Sequence, residues 1–73
     1  MKVDFHGIQV NELPKELDKV MNKAVADGLD EIQFITGRGP IQDALMDMCM
    51  QDYGCGVRRQ LSNSGVLIVS LSA

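Results

Sequence analysis

The sequence predicts a two-layer α/β (α+β sandwich) domain with the element order βαβαββ. Three observations carry that reading: two stretches repeat apolar residues at helical spacing, four short stretches read as strands, and glycines or a Ser-Asn-Ser-Gly turn separate them. The chain has 73 residues, room for one domain spanning 1–73. At this size only about 60% of the unfolded chain's surface can be buried. A thin sheet with helices on one face fits that limit, whereas a deep cofactor cavity walled on all sides does not.

Each element follows from its local pattern. Lys2 to His6 alternate, with Val3 and Phe5 on one side and Asp4 and His6 on the other, as in a half-buried strand ended by Gly7. Asn11 can cap a helix and Pro14 is tolerated in its first turn. Leu13, Leu17, Val20, Met21, Ala24 and Val25 then share one face, and Lys15, Glu16, Asp18, Lys19 and Lys23 the other, up to Gly28. Glu31 to Thr36 is a second strand, with Ile32 and Phe34 on one face and Gln33 and Ile35 on the other. Gly37-Arg38-Gly39 follows, and Pro40 opens a helix with the stripe Ile41, Ala44, Leu45, Met48 and Cys49, ended by Gly54. Val57–Leu61 and Val66–Leu71 are two strands joined by Ser62-Asn63-Ser64-Gly65, hence a hairpin. The first strand-helix-strand unit should be parallel with a right-handed crossover, which puts both helices on one face.

Composition narrows the function classes. The net charge of −3 excludes a strongly basic nucleic-acid binder but leaves room for a local basic patch. With no Trp, and only Phe5, Phe34 and Tyr53 aromatic, a base-stacking platform has little support. There is no run of 18 apolar residues, and the first ten carry Asp4 and His6 where a signal peptide would be apolar. A cytoplasmic location without membrane contact is therefore expected, with Cys49 and Cys55 as free thiols. One His and two cysteines outside any CxxC pattern do not supply a structural zinc site, so no metal ligands are assigned.

Two segments could carry chemistry. Asp4 and His6 lie two apart on a strand, ~6.6 Å along it, on the face the helices leave uncovered. A carboxylate beside an imidazole can fix its tautomer, and such a His can act as general acid or base. The same residues would equally serve as the solvent side of an edge strand. Gly37-Arg38-Gly39 leads into a helix N-terminus, where backbone amides, the helix dipole and Arg38 could hold a phosphate; an ordinary tight turn has the same pattern. Arg58 and Arg59 fall on opposite faces of the third strand, either as part of a small arginine patch for a phosphate backbone or as edge-strand charges. Met46 and Met50 flank the second helix's stripe, with Tyr53 beyond, and suit either an adaptable protein contact or a wide core stripe.

Together these motifs resemble a known family. Val3-Asp4-Phe5-His6-Gly7 resembles the LDLHG signature of the Smr (small MutS-related) domain, with Phe5 for the usual Leu. Thr36-Gly37-Arg38-Gly39 is similar to its second signature, HGxG or TGxG, in the Thr version. The spacing of one helix and one strand between them also matches, as does the terminal hairpin ending Gly65-Val66-Leu67-Ile68-Val69. The resemblance implies a fold like the C-terminal domain of translation initiation factor three, with a four-stranded mixed sheet in the order 1-2-4-3. It implies binding of RNA or DNA, and in many members an endonuclease acting on RNA or on branched or nicked DNA. Catalytic roles would fall on Asp4 and His6, and substrate contacts on Gly7, Thr36, Gly37, Arg38 and Gly39, with Arg58 or Arg59 as a further basic residue. The alternative is a non-catalytic adaptor that binds nucleic acid or protein. No cofactor is required by these residues, though a divalent metal such as magnesium stays open, as does a larger protein or ribonucleoprotein partner.

Overall fold

A computed structural model describes residues 1–71 of the chain. Its strands are β1 (Lys2–Asp4), β2 (Glu31–Ile35), β3 (Gly56–Arg59) and β4 (Val66–Ser70), and its helices are α1 (Leu13–Ala26) and α2 (Pro40–Gln51). A 3₁₀ turn, Val10–Glu12, leads into α1, so Asn11, expected as the helix cap, is itself wound and Glu12 is the N-cap. The strands make one sheet in the order β1-β2-β4-β3. β1 runs parallel to β2, while β4 is antiparallel to both β2 and β3. Fold class and strand order agree with the expectation.

The core lies between the sheet and the two helices. Leu13, Leu17, Met21 and Ala24 from α1 and Leu45 and Cys49 from α2 meet Phe5, Ile32, Phe34, Leu67 and Val69. Each large side chain fully buried here stabilises the fold by ~1.5–3 kcal/mol relative to exposure. Val3, Ile41, Ala44 and Met48 are half-buried around this cluster. Val25, expected on the apolar face of α1, is instead 68% exposed. It lies in the last turn of α1, where Leu29 N–H donates to the Ala24 carbonyl and closes the helix end, and Ala24 is the last buried residue of the stripe.

Both cysteines are free. Burial, with a smaller contribution from the neighbouring Cys55 thiol, pushes the Cys49 thiol up to about 12. Cys55 is half-buried and its N–H donates to the Cys49 carbonyl at 2.9 Å, which turns the chain from α2 into β3.

The uncovered face of the sheet carries cross-strand rows set by the register. One row reads Lys2, Gln33, Ile68, Arg58 and the next Asp4, Ile35, Val66. Val66 and Ile68 are 7% and 8% exposed although no helix covers them; they lie on the central β4, flanked by β2 and β3.

Candidate nucleic-acid interface

The first motif occupies the end of β1 and the turn after it. The strand stops at Asp4, two residues earlier than the alternation suggests, because Asp4 Oδ1 accepts the His6 backbone N–H at 2.8 Å and bends the chain. Phe5 N–H still bonds the Ile35 carbonyl at 2.9 Å, and the Phe5 ring packs 5.1 Å from that of Phe34. Phe5 therefore anchors the turn in the core and leaves Asp4, His6 and Gly7 exposed. The Asp4 carboxylate engages the backbone of His6, and neither imidazole nitrogen hydrogen-bonds within the described residues.

The second motif follows the end of the neighbouring strand, so the parallel pairing of β1 and β2 brings the two motifs together. A methyl group at Gly37 would lie 3.8 Å from His6 Cδ2, which puts the imidazole against the Gly37 backbone. Thr36 and Gly37 N–H groups both donate to the Gly65 carbonyl at 3.0 Å, and the buried Thr36 hydroxyl donates to the Gly37 carbonyl at 2.7 Å. Gly37 has φ 70° and Gly39 φ 151° with ψ −161°, conformations that side-chain-bearing residues avoid. Gly39 is the N-cap of α2 and offers no side-chain cap, so the first amides of that helix have none. Arg38 is exposed between the glycines and makes no ion pair or hydrogen bond within the described residues. Asp43, in the first turn of α2, is the nearby negative charge on that helix.

A residue passed over in the sequence holds this arrangement. Gln42 is 3% exposed; its Nε2 donates to the Ser64 carbonyl at 2.6 Å and lies 3.5 Å from the Thr36 hydroxyl, and its Oε1 accepts from Arg59 Nε at 2.9 Å. It ties the second motif, the β3–β4 hairpin and β3 into one network. The signal was present: Gln42 precedes Leu45 by three residues and Cys49 by seven, so it shares their inward face. Gly65 completes the contact, since a Cβ there would come within 3.2 Å of Gly37 Cα.

The two arginines divide as expected. Arg59 points towards α2, where it also reaches Asp43 at 3.9 Å, and through Gln42 it belongs to the site's support. Arg58 lies on the uncovered face, paired with Glu31 at 3.3 Å, and is not brought to the two motifs. Among the described residues no three His, Cys, Asp or Glu side chains gather into a group that could hold a metal ion.

A family model, the Smr domain, matches residues 3–72. The chain belongs to the Smr domain family. The Smr domain of Thermus thermophilus MutS2, known from a crystal structure, superposes with a TM-score of 0.86 at 24% identity, covering 99% of this chain and 98% of that one. The Smr fold, from the parallel β1–β2 pair to the terminal hairpin, is thus common to both. No curated protein matches the chain in sequence.

Proposed function

We propose that this Smr domain binds nucleic acid where its two motifs meet and cleaves RNA there by acid–base catalysis. The observation that supports it most is the placement of an exposed imidazole against a glycine turn that has an uncapped helix end and an unpaired arginine. A phosphate at the Gly37–Pro40 turn accepts from the first amides of α2 and pairs with Arg38. Gly7, Thr36, Gly37 and Gly39 shape the backbone around it. His6 takes the proton of a ribose 2′-hydroxyl as that oxygen attacks phosphorus. The 5′-oxygen leaves and receives a proton from the imidazolium, so the His returns to its starting state. Asp4 acts through the His6 amide and fixes where the ring stands. DNA has no 2′-hydroxyl, so a branched or nicked DNA substrate would need a bound water as nucleophile.

One observation favours a second reading, a binding module without catalysis. The Asp4 carboxylate is committed to a backbone amide and does not orient the imidazole tautomer. In either reading the partner is RNA or DNA, with a larger protein or ribonucleoprotein as a further partner, and the site of action is the cytoplasm. No helix among the described residues is long and apolar enough to cross a membrane. Labelled RNA and DNA incubated with wild type and with His6→Ala, each with and without EDTA, decides between the readings. Cleavage of RNA that persists in EDTA and is lost in His6→Ala upholds catalysis. Binding without cleavage by both proteins upholds the second reading, and absence of binding refutes both.

A further inference from the structure

Two shallow depressions on the surface of the described residues differ in the charge of their linings. The one on α2, about 450 Å³, is bounded by Asp43, Ala44, Met46, Asp47 and Met50, so two carboxylates would repel a phosphate there. The other, about 520 Å³, lies at the free edge of the sheet, against Arg58, Arg59, Gln60, Leu61, Ser62 and Ile68. It has two cations and no carboxylate in its lining, around the apolar side chains of Leu61 and Ile68. Leu61 is fully exposed, which leaves its whole side chain open to a ligand.

We propose that this depression is a nucleotide subsite that takes one unstacked base, so that the ligand of the domain is a single strand and not a continuous duplex. The inference rests on the reading of the two motifs as a nucleic-acid interface. A flat base fits over the Leu61 side chain, with the nearly buried Ile68 as the floor and a guanidinium plane of the kind that stacks on bases beside it. The ion pairs of Arg58 with Glu31 at 3.3 Å and Arg59 with Asp43 at 3.9 Å are exposed and long, so a phosphate competes readily for either arginine. The subsite is also coupled to the glycine turn. The Gly65 carbonyl holds the amides of Thr36 and Gly37, and Leu61 is four residues from Gly65, within ~14 Å of extended chain. One strand can therefore reach both places within a few nucleotides. A duplex keeps its bases stacked and presents none to the depression.

The test is a titration of the domain, with amide and methyl resonances followed, by an RNA hexanucleotide and by the same sequence as a blunt duplex. The hexanucleotide should move the Leu61 and Ile68 methyls together with the amides of residues 37–39, 41 and 42, and the duplex should bind more weakly. Leu61→Ser, which changes a fully exposed side chain and leaves the melting temperature unaltered, should weaken the hexanucleotide roughly fivefold, the low end for one stacked base. Arg58→Gln should weaken it more at low salt than at high salt. Movement of residues 37–42 with still Leu61 and Ile68 methyls, or equal affinity for duplex, overturns the subsite and leaves the motif interface standing. A titration that moves neither region overturns the interface and the subsite with it.

Discussion

Replacing Gln42 by Met keeps an unbranched side chain of similar length and removes every polar contact that the Gln42 side chain makes. The Ser64 carbonyl loses its 2.6 Å donor and Arg59 Nε loses its 2.9 Å acceptor. The Arg59 side chain is 49% exposed, so water replaces much of that bond. The Ser64 carbonyl is only half-exposed, and leaving such a group unpaired costs about 1–3 kcal/mol. The thioether gains some apolar burial, which offsets part of this, so the expected loss is about 1–2 kcal/mol. For a domain of this size that lowers the melting temperature by roughly 4–16 °C, at ~4–8 °C per kcal/mol. Thermal unfolding followed by circular dichroism gives the first number, and amide spectra show whether Thr36, Gly37 and Gly65 shift together. A variant that melts with the wild type and leaves those three amides in place would refute the assignment of Gln42 as the tie between hairpin and motif.

Other outcomes follow from single features. Gly39→Ala should destabilise by ~1–3 kcal/mol in denaturant melts, since φ 151° with ψ −161° strains any side-chain-bearing residue although nothing lies within 4 Å of the new methyl. Leu17→Ala should cost ~2–5 kcal/mol, whereas Val25→Ser should stay within ~0.5 kcal/mol, because one side chain is fully buried and the other 68% exposed. The Cys49 thiol, raised in the fold from 9.0 to about 12, is protonated when folded over a range where the unfolded chain is ionised. Its contribution to stability is therefore complete below pH 9 and is lost as pH rises towards 12, a slope that should shrink in Cys49→Ala. His6→Ala should leave the melting curve unchanged, because the ring is exposed and makes no hydrogen bond within the described residues; a large drop would show that the imidazole holds the fold.

The fold was legible because the sequence repeats its message at several levels. Leu13, Leu17, Met21 and Ala24 keep helical spacing, Ile32 and Phe34 alternate with Gln33 and Ile35, and glycines stand where φ turns positive. Two errors fall at short-range bonds that the apolar pattern does not encode, and one omission falls where a long-range contact decides. The apolar pattern does not distinguish Val25 from Ala24, and the helix closes there with the bond from Leu29 N–H to the Ala24 carbonyl. The alternation of Asp4 and His6 was real but overridden by a side-chain bond to the backbone that ends the strand. Each motif of the site could be read singly, as could the split of Arg58 and Arg59. The support could not, because a polar residue in an apolar stripe is interpretable only once Ser64 and Arg59, 22 and 17 residues away, are known to meet it.

β1 has a consequence for how the protein fails. It is three residues long, forms one edge of the sheet, and pairs only with β2, whose other neighbour is the fully bonded β4. Peeling β1 away breaks its bonds to β2, including Phe5 N–H to Ile35 and Gln33 N–H to Met1, and exposes Phe5, while α1, α2 and the remaining three strands keep their mutual contacts. Such partial opening requires less free energy than global unfolding, so its amide protons exchange with solvent before those of β4. The first motif hangs from that edge. Under heat or mild denaturant the imidazole leaves the glycine turn while the bulk of the domain still registers as folded, so the two motifs separate before the domain melts.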